Sequence, residues 1–570
     1  MKTLPSRRTI ALAGVLLAAF VLATAPARGG EPMVVLRASF RNVPTIAGKL
    51  GKFVDKVMPG MGMMVQQGAN QLMQGPEMAG VDWTKPISIV LFGGKAFGQK
   101  EPVPTLVVQL ADTAAFRAAR EKAPGGPKQF DVRGNVAVLA DKAEALQAVT
   151  PLRQRRYTEL PTIAEGGDIY FTFYIADTLK EYQAEIGEGL AELERNAGQA
   201  PGPGAFIQKF TKAVRPLLTL AGQQATRVTL VLGLADEAFE LSGRFYAAEG
   251  TELGGFFAAQ PGGTTDIARY LPEGLAASCT MQVDISKLRP LAEAAAAAVA
   301  PALELDAEGQ RRIVDLLFAS TQTGEAAIGM AGDAQHKGVQ TVQVARIADP
   351  AKYRAATREA MEWLMGSAFA QFFQGAGVAM KADYQANARQ YKGVEVDRVT
   401  MTFGPAEDAG PDVEMPPMPP QVTEIAALGT LAVSSSNNEK GDLLNAAIDR
   451  IQADGGNVPP ELLRVGDAAP QKASLLFALS FNTAMAKAVE QAAEQAPGAG
   501  VVIKNVFQPN PDEPPITGHV DFQKDELNFA VHIPHQPIVT MAQRFQQMMQ
   551  QGQQPGGGPP GGQKPPDDDF

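Results

Sequence analysis

The strongest constraint on the fold is an internal repeat. Val107-Val108-Gln109-Leu110, followed by Ala111-Asp112-Thr113-Ala114-Ala115-Phe116-Arg117-Ala118-Ala119, is matched by Val344-Ala345-Arg346-Ile347 followed by Ala348-Asp349-Pro350-Ala351-Lys352-Tyr353-Arg354-Ala355-Ala356, at a constant offset of 237 positions. Each copy is an apolar strand run, an Asp suited to cap a helix, and an amphipathic helix. A chain that repeats such a unit builds similar cores rather than one large one.

The same order of elements surrounds both copies. Val34 to Phe40, Ile87 to Phe92, Thr105 to Leu110 and a hairpin near Phe130 to Ala140 correspond to Ser278 to Asp284, Ala326 to Met330, Val339 to Ile347, and Val394 to Thr402 with Thr430 to Ser435. Further strands and hairpins close each half: Ile169 to Tyr174 with Val228 to Tyr246, and Leu475 to Phe481 with Ile516 to Ile533. This predicts two modules, 33–262 and 275–551, preceded by a leader at 1–27 and followed by a tail at 552–570.

Phe239, Leu241 and Phe245 alternate with Glu240, Ser242 and Arg244, and Leu527, Phe529 and Val531 alternate with Asn528, Ala530 and His532. Period-two alternation marks strands with one face buried. The expected class is therefore α+β: two similar modules of antiparallel sheet with helices packed on one face. A doubly wound nucleotide-binding sheet would need continuous apolar strands and a glycine-rich first turn, and the sequence has neither.

The amino terminus reads as a secretory signal. Lys2, Arg7 and Arg8 precede the apolar run Ile10 to Leu22, and Ala25-Pro26-Ala27 gives a small-x-small site with cleavage expected after Ala27. The run is too short for a permanent span, and no cysteine follows it to carry a lipid anchor. Arg7-Arg8 also partly matches the twin-arginine pattern, which leaves two export routes open, the general secretory one favoured. The expected location is the periplasm or the extracellular space.

Losing Lys2, Arg7 and Arg8 leaves 48 basic against 61 acidic residues over about 540 residues, a mature charge of −13. That excess of negative charge argues against nucleic acid and anionic membrane surfaces as partners. Cys279 is the only cysteine, so no internal disulfide can form, and its apolar strand context reads as core.

Candidate chemistry is sparse. His519, His532 and His535 cluster in the last hairpin; with a turn near Asp525-Glu526, His519 and His532 would face each other on the wet face beside Asp521, a set able to hold zinc or copper. Met58, Met61, Met63 and Met64, followed by Met73 and Met78, offer soft thioethers for copper(I), or a surface packed in the core or at an interface. Asp112, Asp177, Asp284 and Asp349 recur at strand-to-helix junctions and read as caps. Ser434-Ser435-Ser436 lacks a nucleophile elbow. No metal, cofactor or catalytic residue is assigned.

Pro- and Gly-rich stretches at Ala123 to Lys128, Asn196 to Gly204, Gly404 to Pro420 and Ala496 to Pro515 read as loops. The Gly/Pro/Asp tail lacks the apolar content to fold, and it could hold an envelope protein or polymer.

Tyr391-Lys392-Gly393-Val394-Glu395-Val396, and Leu431-Ala432-Val433-Ser434-Ser435 leading into Leu443-Leu444-Asn445-Ala446-Ala447-Ile448, carry a resemblance, with an echo in Phe130 to Ala140. The chain resembles exported bacterial proteins grouped as a domain of unknown function, abundant in planctomycete-type genomes. That resemblance implies no activity. The expected function is a non-enzymatic binding or structural component of the periplasm or envelope; the alternatives are a periplasmic metal-handling protein and a hydrolase with an unrecognised site.

Overall fold

The computed structural model describes residues 33–552 apart from 123–128, 150–166, 198–203, 264, 304, 321–323, 332–339, 367–377, 406–419, 437–440, 471, 487–505, 509 and 511. The leader with Ala25 and Ala27, the tail from residue 553, and most of the expected loops lie outside the described residues.

The first half contributes β1 (Val34–Phe40), β2 (Ile87–Phe92), β3 (Val103–Gln109), β4 (Gln129–Arg133), β5 (Val136–Ala140), β6 (Ile169–Phe173), β7 (Ala225–Leu234) and β8 (Ala238–Ala247). The second contributes β9 (Leu275–Gln282), β10 (Glu325–Ala331), β11 (Thr341–Arg346), β12 (Val378–Tyr391), β13 (Val394–Pro405), β14 (Gln421–Leu428), β15 (Leu431–Ser436), β16 (Ala473–Leu479), β17 (Ile516–Gln523) and β18 (Glu526–Pro534). All pairings among them are antiparallel, and among the described residues they form one 18-stranded sheet.

Followed through these pairings, the order is β4-β5-β3-β2-β1-β6-β7-β8, then β18-β17-β16-β9-β10-β11-β15-β14-β13-β12. Read inward from either edge, the two halves are the same apart from β12 and β13. The fold is α+β and internally duplicated. The halves meet where β8 pairs with β18, from Glu526 opposite Tyr246 to Pro534 opposite Ala238. Two equivalent backbone bonds close the ends of this junction: Ala247 N–H donates to Asp525 O at 2.9 Å, and His535 N–H donates to Glu237 O at 2.8 Å.

The duplication corrects one expected pairing. Val394 to Thr402 and Thr430 to Ser435 do not form one hairpin: β15 pairs with β14, and β13 pairs with β12 and β14. The counterpart of the β4–β5 hairpin is thus β14–β15, and β12–β13 is an insertion at the outer edge of the second half. Its turn, Lys392-Gly393 at φ 45° and 83°, has the left-handed geometry that two-residue hairpins require.

Amphipathic helices supply the rest of the core. Helix Asp442–Gln452 buries Leu443, Leu444, Ala447 and Ile448 against Val344, Val396 and Val433, the spacing of one helical face. Helix Thr113–Lys122 brings Phe116 against Val108 and Leu139. Leu146 of helix Ala143–Val149 lies with Val107 and Val138 on the opposite face, so the outer strands are covered on both faces. No helix among the described residues is long and apolar enough to cross a membrane.

Candidate functional site

The inserted hairpin carries the densest polar chemistry in the described chain, arranged as one buried carboxylate network on each face. On the first face Asp397, whose side chain is 1% exposed, accepts from Arg354 Nε at 2.7 Å, from a second Arg354 nitrogen, from the Tyr384 hydroxyl, and from Asn387 N–H at 2.9 Å. Arg354 also donates to Glu395 at 2.7 Å and to Asn387 Oδ1 at 2.6 Å. On the second face Glu424, 3% exposed, accepts from Arg389 at 2.9 and 2.6 Å and from Arg398 at 2.8 Å. Arg389 then donates to Asn445 of helix Asp442–Gln452 at 2.9 Å.

Local chain geometry makes room for both networks. Asn387 sits at φ 54° in a bulge where the β12–β13 register shifts between Gln385 and Arg389, which turns its N–H onto Asp397. Gly441 is required twice over: its φ is 70°, and a Cβ there would lie 2.4 Å from an Arg389 nitrogen.

Burial alone would raise the Asp397 carboxyl, but the Arg354 guanidinium, the Tyr384 hydroxyl and the Asn387 N–H outweigh it and hold it below the usual range. Glu424 is likewise held low, Arg389 and Arg398 outweighing its desolvation. Burial and the Asp397 charge push Tyr384 up to about 12. Both carboxylates therefore stay ionised with their lone pairs engaged, which suits a rigid clamp and not a proton donor. Arg354 occupies the repeat position of Arg117, whose guanidinium donates to the Val132 backbone at 3.3 Å. The same arginine reaches the neighbouring hairpin in each half; in the second, the insertion supplies a carboxylate.

No family model matches the chain, and neither curated proteins nor solved structures give a match.

The residues singled out in the sequence are scattered. The last hairpin turns at Lys524-Asp525, one residue earlier than expected, with Lys524 at φ 48°. His519 consequently lies opposite Ala530 and His532 opposite Thr517, a two-residue slip that separates the imidazoles. His532 Nδ1 lies 2.6 Å from Glu240 across the junction. Asp521 is buried, not on a wet face, and accepts from Gln523 and Asn528 at 3.0 Å each. Among the described residues no three His, Cys, Asp or Glu side chains converge on a metal-sized site.

Met58, Met61, Met63 and Met64 are 40–64% exposed around the turn between helices Val43–Val57 and Gly62–Met73; Met78 alone of the set packs with the core around Phe116. Asp112, Asp284 and Asp349 cap as expected. Asp177 does not: its helix starts at Ile175, directly off β6, which places Asp177 inside the first turn. Cys279 lies on β9, and desolvation pushes its thiol up to about 11, away from nucleophilic use. Ser435 is buried and donates to Thr341 O.

His535 differs from His519 and His532. It is 3% exposed between Phe53 and Phe239, with ring centroids at 4.7 and 4.4 Å. Among the described residues neither ring nitrogen makes a hydrogen bond of acceptable geometry, although the Asp236 backbone lies close enough to favour the charged form. Desolvation, reinforced by Lys56, pulls its pKa below the usual 6.5 against the opposing pull of Asp236 and Glu237. A histidine with a lowered folded-state value contributes stability that is complete above its unfolded value and is lost as pH falls through the folded one. Replacing it with phenylalanine removes two unsatisfied nitrogens, and His535→Phe is expected to gain about 1–2 kcal/mol at pH 7. The gain should widen between pH 7 and 5; urea denaturation at both pH values reads it, and a loss of stability at pH 7 would refute this account of the site.

Proposed function

We propose that the chain is an exported, non-enzymatic binding or structural component of the periplasm or cell envelope, and that the β12–β13 hairpin is its interaction element. The single observation behind this reading is the state of β12. Among the described residues it ends the sheet, runs for 14 residues, and makes no backbone hydrogen bonds beyond those to β13. Proteins normally shorten or cover such edges, because a row of free N–H and C=O groups recruits another strand. Here the edge is instead clamped from both faces by Arg354–Asp397 and Arg389–Glu424.

The two segments behind the family resemblance fall at this site as well: Tyr391-Lys392-Gly393 turns the hairpin, and Leu431 to Ser435 forms β15, two strands further in. The leader at 1–27 supports export, and the mature charge supports partners other than nucleic acid.

The reading is tested with the full chain expressed behind its own leader. A photo-crosslinking residue replaces Gln385 on β12 or, as a control, Lys100, both exposed. The expected result is a mature chain beginning at Arg28, released by osmotic shock, with adducts from position 385 and none from 100. An unprocessed chain retained in the cytoplasm, or equal labelling from both positions, would sink the proposal.

A further inference from the structure

We infer that the partner of β12 is β12 of a second copy, paired antiparallel about a two-fold axis through Ala382. This rests on the reading of the hairpin as the interaction element. It names the occupant.

The register follows from symmetry and charge. A two-fold axis that continues the sheet must stand perpendicular to it, so each residue keeps its face and the axis passes through a residue rather than between two. The straight part of β12 runs from Val378 to the bulge that begins after Gln385, which leaves Lys381 and Ala382 as the central positions. An axis at Lys381 sets two ammonium groups against each other. An axis one residue beyond Ala382, at Asp383, opposes two carboxylates. The axis at Ala382 places Lys381 opposite Asp383 of the second copy twice over, and Met380 opposite Tyr384 on the other face. Only this central register is favoured by charge.

Lys381 and Asp383 are both exposed and point away from the face that carries Tyr384 and Asp397. Among the described residues Asp383 accepts one side-chain hydrogen bond, from Gln385 two residues along the same strand at 2.8 Å, and Lys381 has no ion-pair partner. Beyond Gln385 the bulge around Asn387 bends the edge away, which ends the pairing and keeps it finite. The chain already uses this solution internally, where β8 and β18 join its halves edge to edge in antiparallel register.

The experiment is sedimentation of the mature full-length chain over about 1–50 μM, wild type beside Lys381→Glu, Asp383→Lys, an equimolar mixture of the two variants, and the double variant. The wild type should sediment as a dimer. Each single variant opposes like charges twice and should dimerise about tenfold or more weakly. The mixture should recover the dimer, because the variant charges then complement each other, and so should the double variant. Recovery on mixing excludes misfolding as the cause of the losses. A wild type that stays monomeric, single variants that dimerise like wild type, or a mixture that fails to recover would each overturn the inference. Cross-linking from position 385 to other envelope components, with no dimer, would leave the functional reading standing and remove this one alone.

Discussion

Replacing Arg354 with alanine should cost about 3 kcal/mol or more of stability, because it leaves the Asp397 carboxylate buried with, among the described residues, only the Tyr384 hydroxyl and the Asn387 N–H against it. The repeat provides an internal control. Arg117→Ala, the same position in the first half, removes a single hydrogen bond to the Val132 backbone, and should cost about 1 kcal/mol or less. Urea denaturation of both variants measures the difference. Equal losses would mean that the hairpin is not clamped by its charge network. Because the Asp397 carboxyl is held below its ordinary value, the stabilisation in the wild type is complete above the unfolded value of 3.8 and disappears as pH falls through the folded one. Arg354→Ala and wild type should therefore converge in acid.

Gly243→Val should be the most damaging change at the junction between the halves. Gly243 lies opposite Phe529, whose ring covers the space a side chain would need: a Cβ would sit 2.5 Å from the ring and 2.9 Å from Thr229 O. A valine must displace Phe529 or push β8 off β18, at a cost of about 3 kcal/mol by overpacking. The half-buried ion pair Arg244–Glu526 at 3.4 Å and the His532–Glu240 contact flank this point, and the second is exposed enough to contribute little. Packing of Phe529 on the bare glycine backbone is what holds this part of the junction.

The duplication was legible because the strand, capping Asp and helix of Val107 to Ala119 and Val344 to Ala356 recur in one register. Period-two alternation at Phe239 to Phe245 and Leu527 to Val531 made the antiparallel class legible too. The joining of both halves into one sheet was not, because both junction strands alternate as any half-buried strand does, and nothing local says which strand lies beside them. The insertion was misjudged for a related reason. Val394 to Thr402 and Leu431 to Ser436 are each good strands, and their partners were decided by β14, whose polar start, Gln421-Val422-Thr423-Glu424, hides a buried carboxylate. Nothing local in the sequence marks Asp397 and Glu424 as buried, because Arg354, Arg389 and Arg398 are brought to them from 26 to 43 positions away. The histidine site failed by one residue: Lys524 accepts a left-handed conformation, the turn closes early, and the imidazoles no longer face each other.

Amide hydrogen exchange on the intact chain, read strand by strand, tests most directly whether the two halves are one continuous sheet. The amides of β8 and β18 that bond across the junction should exchange as slowly as those of β1 and β9 at the centres of the halves, and Gly243→Val should release β8 and β18 first. Rapid exchange of β8 and β18 in the wild type, with β1 and β9 still protected, would show two separate sheets and contradict the account.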